Sequence, residues 1–226
     1  MRKIAIMTLL TLPLFAGFFP KTVHTSISKI TNGSVSLLSS FPLNGMSGVV
    51  VHKYENNLEA ITGHIMQDAS GKPRLLTRGI IPHDKLPTVK TAVKLGDKVI
   101  GGFLYSNVLV LAPNAQTYTK LTSLYDKKWV HPDLYALYLS KKGDSVPTKE
   151  NLASFAKAYQ VGLICIIGDS AVKLYDPISR RIVGQKSMAG LPTEGEAPFF
   201  MRFDQIESGI FSSRNMKNYY SIMSQF

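Results

Sequence analysis

Cysteine is almost absent from this chain of 226 residues, which contains only Cys165. An intramolecular disulfide is therefore excluded, and the fold must be held together by a hydrophobic core. The composition provides for one, since 45% of the residues are hydrophobic and only 18% are charged, which argues against a disordered chain. Cys165 itself lies inside the apolar run 161–167. This position predicts a small core side chain in a strand rather than a reactive thiol.

Long hydrophobic runs are also missing, except at the N-terminus. Arg2 and Lys3 precede the uncharged run 4–19, which Pro13 interrupts. This run is too short for a membrane-spanning helix, which needs about 20 apolar residues, but it is typical of a signal peptide. We expect residues 1–20 to contain the signal peptide, whose end the sequence leaves open, and Leu14-Phe15-Ala16 offers a small residue at one possible cleavage position. The rest of the chain is then exported to the periplasm or cell surface, without an integral membrane span.

Acidic residues are scarce, since the chain has 26 Lys and Arg against 15 Asp and Glu. Removal of residues 1–20 leaves 24 basic and 15 acidic side chains, a formal charge of +9. Beyond residue 20 the basic doublets are dispersed, at 127–128, 141–142 and 180–181. This dispersion argues against nucleic-acid binding, which needs a dense basic stripe with aromatic side chains between the charges. It favours attraction to an acidic partner or surface.

Reactive groups in recognisable arrangements are absent from the sequence. The five histidines lack the spacing of a zinc site, although His52 and His64 could meet across a predicted hairpin. Neither a G-x-S-x-G motif nor a glycine-rich phosphate motif is present. His131 and Asp133 flank Pro132 at a predicted helix start, where both would satisfy the helix terminus. We expect no catalytic residue, metal or cofactor; an unrecognised hydrolase, the alternative, predicts a pocket where titratable groups converge.

Turn residues divide the segment 22–113 into short apolar runs. Asn32-Gly33 lies between two such runs and is the strongest short signal for a β-hairpin. Asn44-Gly45, Ser70-Gly71 and Gly96-Asp97 mark further reversals, so that seven short strands are expected in this segment. Short strands with frequent turns predict a small β-barrel or sandwich.

The pattern changes after residue 113. Asn114 is a good N-cap for a helix over 115–125. Pro132 suits the first position of a second helix, which Gly143 would end, and Thr148 would cap a third. Short strands are then expected at 161–167, 171–175, 181–185 and 199–203, before a C-terminal helix capped by Asn215. The predicted class is α+β: a small N-terminal β-barrel or sandwich, a helical segment, a further set of short strands and a C-terminal helix.

Several segments, in order along the chain, resemble the N-terminal domain family of bacterial plasminogen-binding proteins. They are Ser47-Gly48-Val49-Val50-Val51, Leu86-Pro87-Thr88, Gly96-Asp97-Lys98-Val99, Leu109-Val110-Leu111-Ala112-Pro113-Asn114 with Tyr118, Asp133-Leu134, Val161-Gly162-Leu163-Ile164, Pro198-Phe199-Phe200-Met201-Arg202 and Lys217-Asn218-Tyr219. The resemblance covers nearly all of residues 21–226. It implies one continuous domain, β-rich over 22–113 and mixed over 114–226, in an exported protein of Gram-negative bacteria.

The resemblance also implies a protein partner, plasminogen. Its kringle modules recognise the ammonium and carboxylate of a terminal lysine. An internal lysine near a carboxylate could replace such a terminus. The candidates are Lys127 and Lys128 beside Asp126, Lys141 and Lys142 before Asp144, and Lys53 with Glu55, which are two residues apart at a strand end and so should share one face of it. We expect the partner-binding residues to be Lys127, Lys128, Lys141 and Lys142, because side chains at helix ends would be free to reach a kringle.

Two functions follow from the sequence and the resemblance. The first is an exported, non-enzymatic binding protein that binds plasminogen kringles through surface lysines. The alternative is a periplasmic structural or adaptor domain that binds a bacterial envelope component, without plasminogen binding.

Overall fold

Two β-sheets and four α-helices make up the computed structural model, which describes residues 17–76, 86–203 and 218–226. The strands are β1 (Val23–Thr31), β2 (Ser34–Leu37), β3 (Ser47–Lys53), β4 (Glu59–Gln67), β5 (Pro73–Leu76), β6 (Lys98–Gly101), β7 (Asn107–Leu111), β8 (Lys128–Val130), β9 (Leu163–Ile167), β10 (Ala171–Asp176) and β11 (Arg181–Ser187). The helices are α1 (Ala115–Leu124), α2 (Pro132–Lys142), α3 (Lys149–Tyr159) and α4 (Tyr219–Met223), with a 3₁₀ turn at Glu55–Asn57.

The first sheet is antiparallel and nearly closed. Its strand order is β2-β1-β6-β3-β4-β5, and β2 also approaches β5 across the remaining gap, so the sheet is barrel-like. The β1–β2 hairpin turns at Asn32 and Gly33, whose φ angles of 47° and 76° are the left-handed values that such a turn requires. The predicted hairpin and the predicted N-terminal barrel are confirmed.

The second sheet has the order β11-β10-β9-β7-β8, in which β7 runs parallel to both β8 and β9. It separates two hydrophobic clusters, because alternate residues of a strand point to opposite faces. On β7, Val108 and Val110 face a cluster shared with the first sheet, whereas Leu109 and Leu111 face a cluster formed with α2, α3 and α4. Cys165 on β9 is buried in the shared cluster, and burial raises the pKa of its thiol far above the usual value. Its predicted place in the core is confirmed.

The predicted α+β class is confirmed, with its barrel-like sheet, helical segment, second set of strands and short C-terminal helix. The predicted strand over 199–203 is wrong, since this segment is irregular. The backbone N–H of Phe200 donates to the carbonyl of Ala112 at 2.8 Å, but the N–H of Arg202 donates to the side chain of Asp133 and not to a neighbouring strand. The expected cap Asn215 lies outside the described residues, and α4 is capped by Asn218.

Two strands differ from the sequence-based expectation, one in the sheet it joins and one in its existence. β7 was expected in the N-terminal barrel but pairs in the second sheet, and β8, which covers Lys128, was not predicted as a strand. Over the described ranges 17–76, 86–203 and 218–226, none of the helices combines the length and the apolar character of a membrane span.

Candidate partner-binding surface

Lys127 is not the freely reaching side chain that the sequence suggested. Its ammonium lies 4.9 Å from the centroid of the Phe19 ring, in a cation–π contact. Burial lowers the pKa of Lys127, and the neighbouring carboxylate of Asp126 opposes this shift in part. The neighbouring Lys128 is exposed at the start of β8, where its backbone N–H donates to Ser106 at 2.8 Å. The first lysine doublet therefore lies at a strand, not at a helix end, with Lys127 half-buried and Lys128 exposed.

Lys141 and Lys142 occupy the last turn of α2, as predicted, and both are exposed. Gly143 ends the helix with a φ of 75°, and the backbone N–H of Asp144 donates to Leu139 at 3.0 Å. This is the glycine stop expected at a helix C-terminus, where cations are favoured by the helix dipole. The Lys142 ammonium lies 5.8 Å from the centroid of the Tyr138 ring.

The carboxylate of Asp144, which follows the second lysine doublet, is held by another side chain. The side chain of Asp144 accepts a hydrogen bond from the Asn151 amide at 3.4 Å. Within the part of the chain that the structure describes, no ion pair joins Lys127, Lys128, Lys141 or Lys142 to a carboxylate. The second doublet therefore offers exposed cations with a fixed carboxylate two residues beyond Lys142.

Lys53 and Glu55 are both exposed, but the expectation that they share a strand face is wrong. β3 ends at Lys53, and Glu55 begins the 3₁₀ turn. Asn56, which follows Glu55 in this turn, has a φ of 59°, so the backbone changes direction there before β4 begins. The alternation that would place residues i and i+2 on one face does not extend past a strand end.

An apolar groove of about 750 Å³ lies beside this turn and was not predicted from the sequence. We call it the Tyr54 groove. It is lined by Tyr54, Asn57, Leu58, Glu59, Ala60, Leu86, Pro87, Val89 and Thr91. One wall is a segment that runs along β4: the N–H of Ile61 donates to Pro87 at 2.8 Å, and the N–H of Val89 donates back to Ile61 at 2.9 Å. Leu58 is 65% exposed in this groove, so a large apolar side chain is available there for contact.

His52 and His64 are not neighbours across the β3–β4 hairpin. His52 lies opposite Ala60, and His64 lies opposite Val49. His52 instead contacts Asp97, with 2.6 Å between Nδ1 and Oδ1, while the Lys94 ammonium lies 3.3 Å from Nε2. Since an ammonium only donates, Nε2 accepts and Nδ1–H donates to Asp97. Among the described residues, no three His, Cys, Asp or Glu side chains are grouped as metal ligands.

The helix-start interpretation of His131 and Asp133 is confirmed. The His131 ring accepts a hydrogen bond from the Asp133 N–H at 3.1 Å and acts as the N-cap of α2. Asp133 is buried and accepts from both the backbone and the guanidinium of Arg202, at 2.8 and 2.6 Å. This arrangement fastens α2 to the segment after Phe199. It uses both side chains structurally.

The residues that line the Tyr54 groove do not include a nucleophile with an adjacent base. Glu59 is its one carboxylate, and its one hydroxyl besides Tyr54 is Thr91, which lies 3.4 Å from the Tyr54 oxygen. The groove is therefore better suited to apolar contact than to the acid–base chemistry that a hydrolase requires.

Comparison with known proteins identifies a family. A family model described as the N-terminal region of plasminogen-binding protein pgbA matches residues 22–225. A search of curated proteins and a search of solved structures each gave no match. The matched residues include both sheets and the lysines at the end of α2. With nearly the whole chain covered, the protein belongs to the family of plasminogen-binding protein N-terminal domains.

Proposed function

We propose that this chain is an exported, non-enzymatic protein that binds plasminogen through lysine side chains on its surface. The family match over residues 22–225 is the observation that carries this proposal. Export is supported by Arg2, Lys3 and the uncharged run that follows them. A role as one continuous domain is supported by the hydrophobic cluster that both sheets share.

Lys141 and Lys142 are the lysines that best fit a kringle site. Both are exposed at the end of a helix, so that they can approach a concave partner without unfolding local structure. Asp144 supplies an anionic group beside them. Lys127 is the least suited of the four lysines, because its ammonium is already partly desolvated against Phe19. Lys128 stays exposed and is the second choice.

The double substitution of Lys141 and Lys142 by alanine is expected to weaken plasminogen binding by about tenfold or more, the effect of losing one well-placed interface cation. Binding would be measured by surface plasmon resonance on immobilised plasminogen, with and without the lysine analogue aminocaproate. The matched control replaces Lys149 and Lys157, two exposed lysines at the ends of α3, by alanine. It removes the same charge from a neighbouring helix.

The control separates a specific site from general attraction by a basic protein. Equal weakening by both double variants would show that net charge, not the end of α2, drives binding. Binding that aminocaproate does not compete would contradict the plasminogen proposal. The corresponding Lys127 and Lys128 double variant is expected to lose less than the Lys141 and Lys142 variant.

The second candidate function is binding of a bacterial envelope protein without plasminogen binding. The Tyr54 groove favours it, because an apolar groove with an exposed leucine suits an apolar protein segment better than an ammonium. This candidate predicts that Leu58→Asp abolishes a stoichiometric complex cross-linked in envelope extract, while the Lys141 and Lys142 variant retains it. The plasminogen proposal predicts the opposite ranking of the two variants on plasminogen.

A further inference from the structure

Phe19, inside the run expected to be removed with the signal peptide, is part of the folded core. Its side chain is only 8% exposed and belongs to the hydrophobic cluster shared by both sheets. The ring lies edge-on to Tyr125 with 4.8 Å between centroids, and edge-on to Trp129 with 5.9 Å. Phe18 adds a contact to Phe19 at 5.3 Å and one to Tyr125 at 6.4 Å.

Cleavage after Pro20 would leave this cluster incomplete. Tyr125 and Trp129 would lose the ring that packs between them, and the Lys127 ammonium would lose the aromatic face it lies against. Interiors are packed like crystals, so a missing phenylalanine leaves a void or exposes the groups around it. A cut before Phe18 would instead keep both rings in the folded protein.

Two small residues lie between Pro13 and Phe18 and could occupy the position before the cut, namely Ala16 and Gly17. A cut after Gly17 would place Phe15 two positions further back, where a small residue is preferred, whereas a cut after Ala16 places the smaller Leu14 there. Gly17 is exposed, and a Cβ atom built on it would have no neighbour within 4 Å. A new ammonium group at Gly17 would thus stay in water, as a charged group requires.

We infer that the mature protein begins at Gly17, with Phe18 and Phe19 as an aromatic N-terminal anchor; this inference rests on the export proposed above. A signal peptidase hydrolyses the peptide bond between Ala16 and Gly17. The hydroxyl of water goes to the carbonyl carbon of Ala16, and the proton goes to the nitrogen of Gly17, which becomes the new terminal amine.

The test is expression of the full chain in a Gram-negative host, followed by intact mass measurement and N-terminal sequencing of the exported protein. We expect the sequence Gly17-Phe18-Phe19. An exported protein that begins at Lys21 or still carries Met1 would overturn this inference while leaving export in place. A chain that is neither exported nor cut would overturn export as well.

Two variants of the full chain sharpen the test. Ala16→Tyr places a bulky side chain before the cut and is expected to abolish the product that begins at Gly17; an unchanged product would overturn the assignment. Phe19→Ala should leave the cut unchanged but shift the fluorescence of Trp129, the chain's single tryptophan, to longer wavelength. Phe19→Leu keeps more of the side-chain volume, so its emission should shift less than that of Phe19→Ala. Emission that Phe19→Ala leaves unchanged would show that Phe19 is not an anchor.

Discussion

Replacing Asp176 with alanine is expected to lower the free energy of unfolding by about 4 kcal/mol, because the substitution leaves buried donors without an acceptor. Asp176 ends β10 and is fully buried. Its Oδ2 accepts from the Tyr105 hydroxyl at 2.6 Å and from the Ser47 N–H at 3.0 Å. Its Oδ1 accepts from the N–H groups of Ile178 and Ser179 at 2.8 and 2.9 Å.

This carboxylate connects the two sheets. Ser47 begins β3 in the barrel-like sheet, whereas Asp176 and the turn at Ile178 belong to the second sheet. Burial raises the pKa of Asp176, and the hydrogen bonds from Ser47 and Tyr105 oppose that rise in part. Each orphaned donor would cost about 1–3 kcal/mol, which is why the loss exceeds that of an ordinary surface substitution.

Chemical denaturation, followed through Trp129 fluorescence, measures the effect. Asp176→Asn is nearly isosteric, but its amide N–H₂ would face one pair of donors, so we expect a loss of about 2 kcal/mol or more from this variant too. The control is Asp169→Ala in the exposed turn before β10, which should change stability by less than about 0.5 kcal/mol. If Asp176→Ala stays within about 1 kcal/mol of the original protein, the carboxylate does not stabilise the contact between the sheets.

Sequence reasoning predicted those features whose signal is local. Asn114 accepts from the Thr117 N–H at 2.8 Å, as an N-cap should, and Thr148 forms a capping box with Asn151. Gly143 ends α2 in the left-handed conformation. In each case the interacting groups lie within about four residues of one another, so the sequence pattern contains the whole interaction.

The sheet to which a strand belongs could not be predicted in this way. The apolar run at β7 indicates a strand, but its neighbours β8 and β9 are separated from it by helices. Both faces of β7 are buried, so it has no polar alternation that would identify a barrel strand with one solvated side. β8 is only three residues long, Lys128-Trp129-Val130, which is too short to show the alternation that identifies a strand.

The candidate site was only partly predictable for the same reason. Lys141 and Lys142 follow from the helix that contains them, and their exposure agrees with the position expected for the last turn. Lys127 looked equally free, but Phe19, which is remote in sequence, covers its ammonium. Asp176 precedes Pro177 between the strands predicted at 171–175 and 181–185, and only the tertiary structure places Ser47 and Tyr105 against it.

Buried His64 is expected to lower the free energy of unfolding by about 3 kcal/mol between pH 6.5 and pH 4, because the folded chain keeps this side chain neutral. His64 lies on β4 between Val49 of β3 and Leu76 of β5 and is 3% exposed. Burial lowers its pKa to about 4, compared with about 6.5 in an unfolded chain. Below pH 6.5 the unfolded chain binds a proton that the folded chain does not bind, so stability falls as the pH decreases. The fall levels off below pH 4, where the folded chain binds the proton as well.

His64→Leu removes the titrating group from this position, so the slope of unfolding free energy against pH should become flatter in that window. Only the slopes are compared, and a constant offset from repacking does not affect the result. The control is His24→Gln, which changes an exposed histidine on β1 and should keep the original slope. Denaturant titrations at half-unit steps from pH 4 to pH 7 give the three curves. A His64→Leu curve parallel to that of the unchanged protein would mean that the folded chain accepts the proton at His64 as readily as the unfolded chain does.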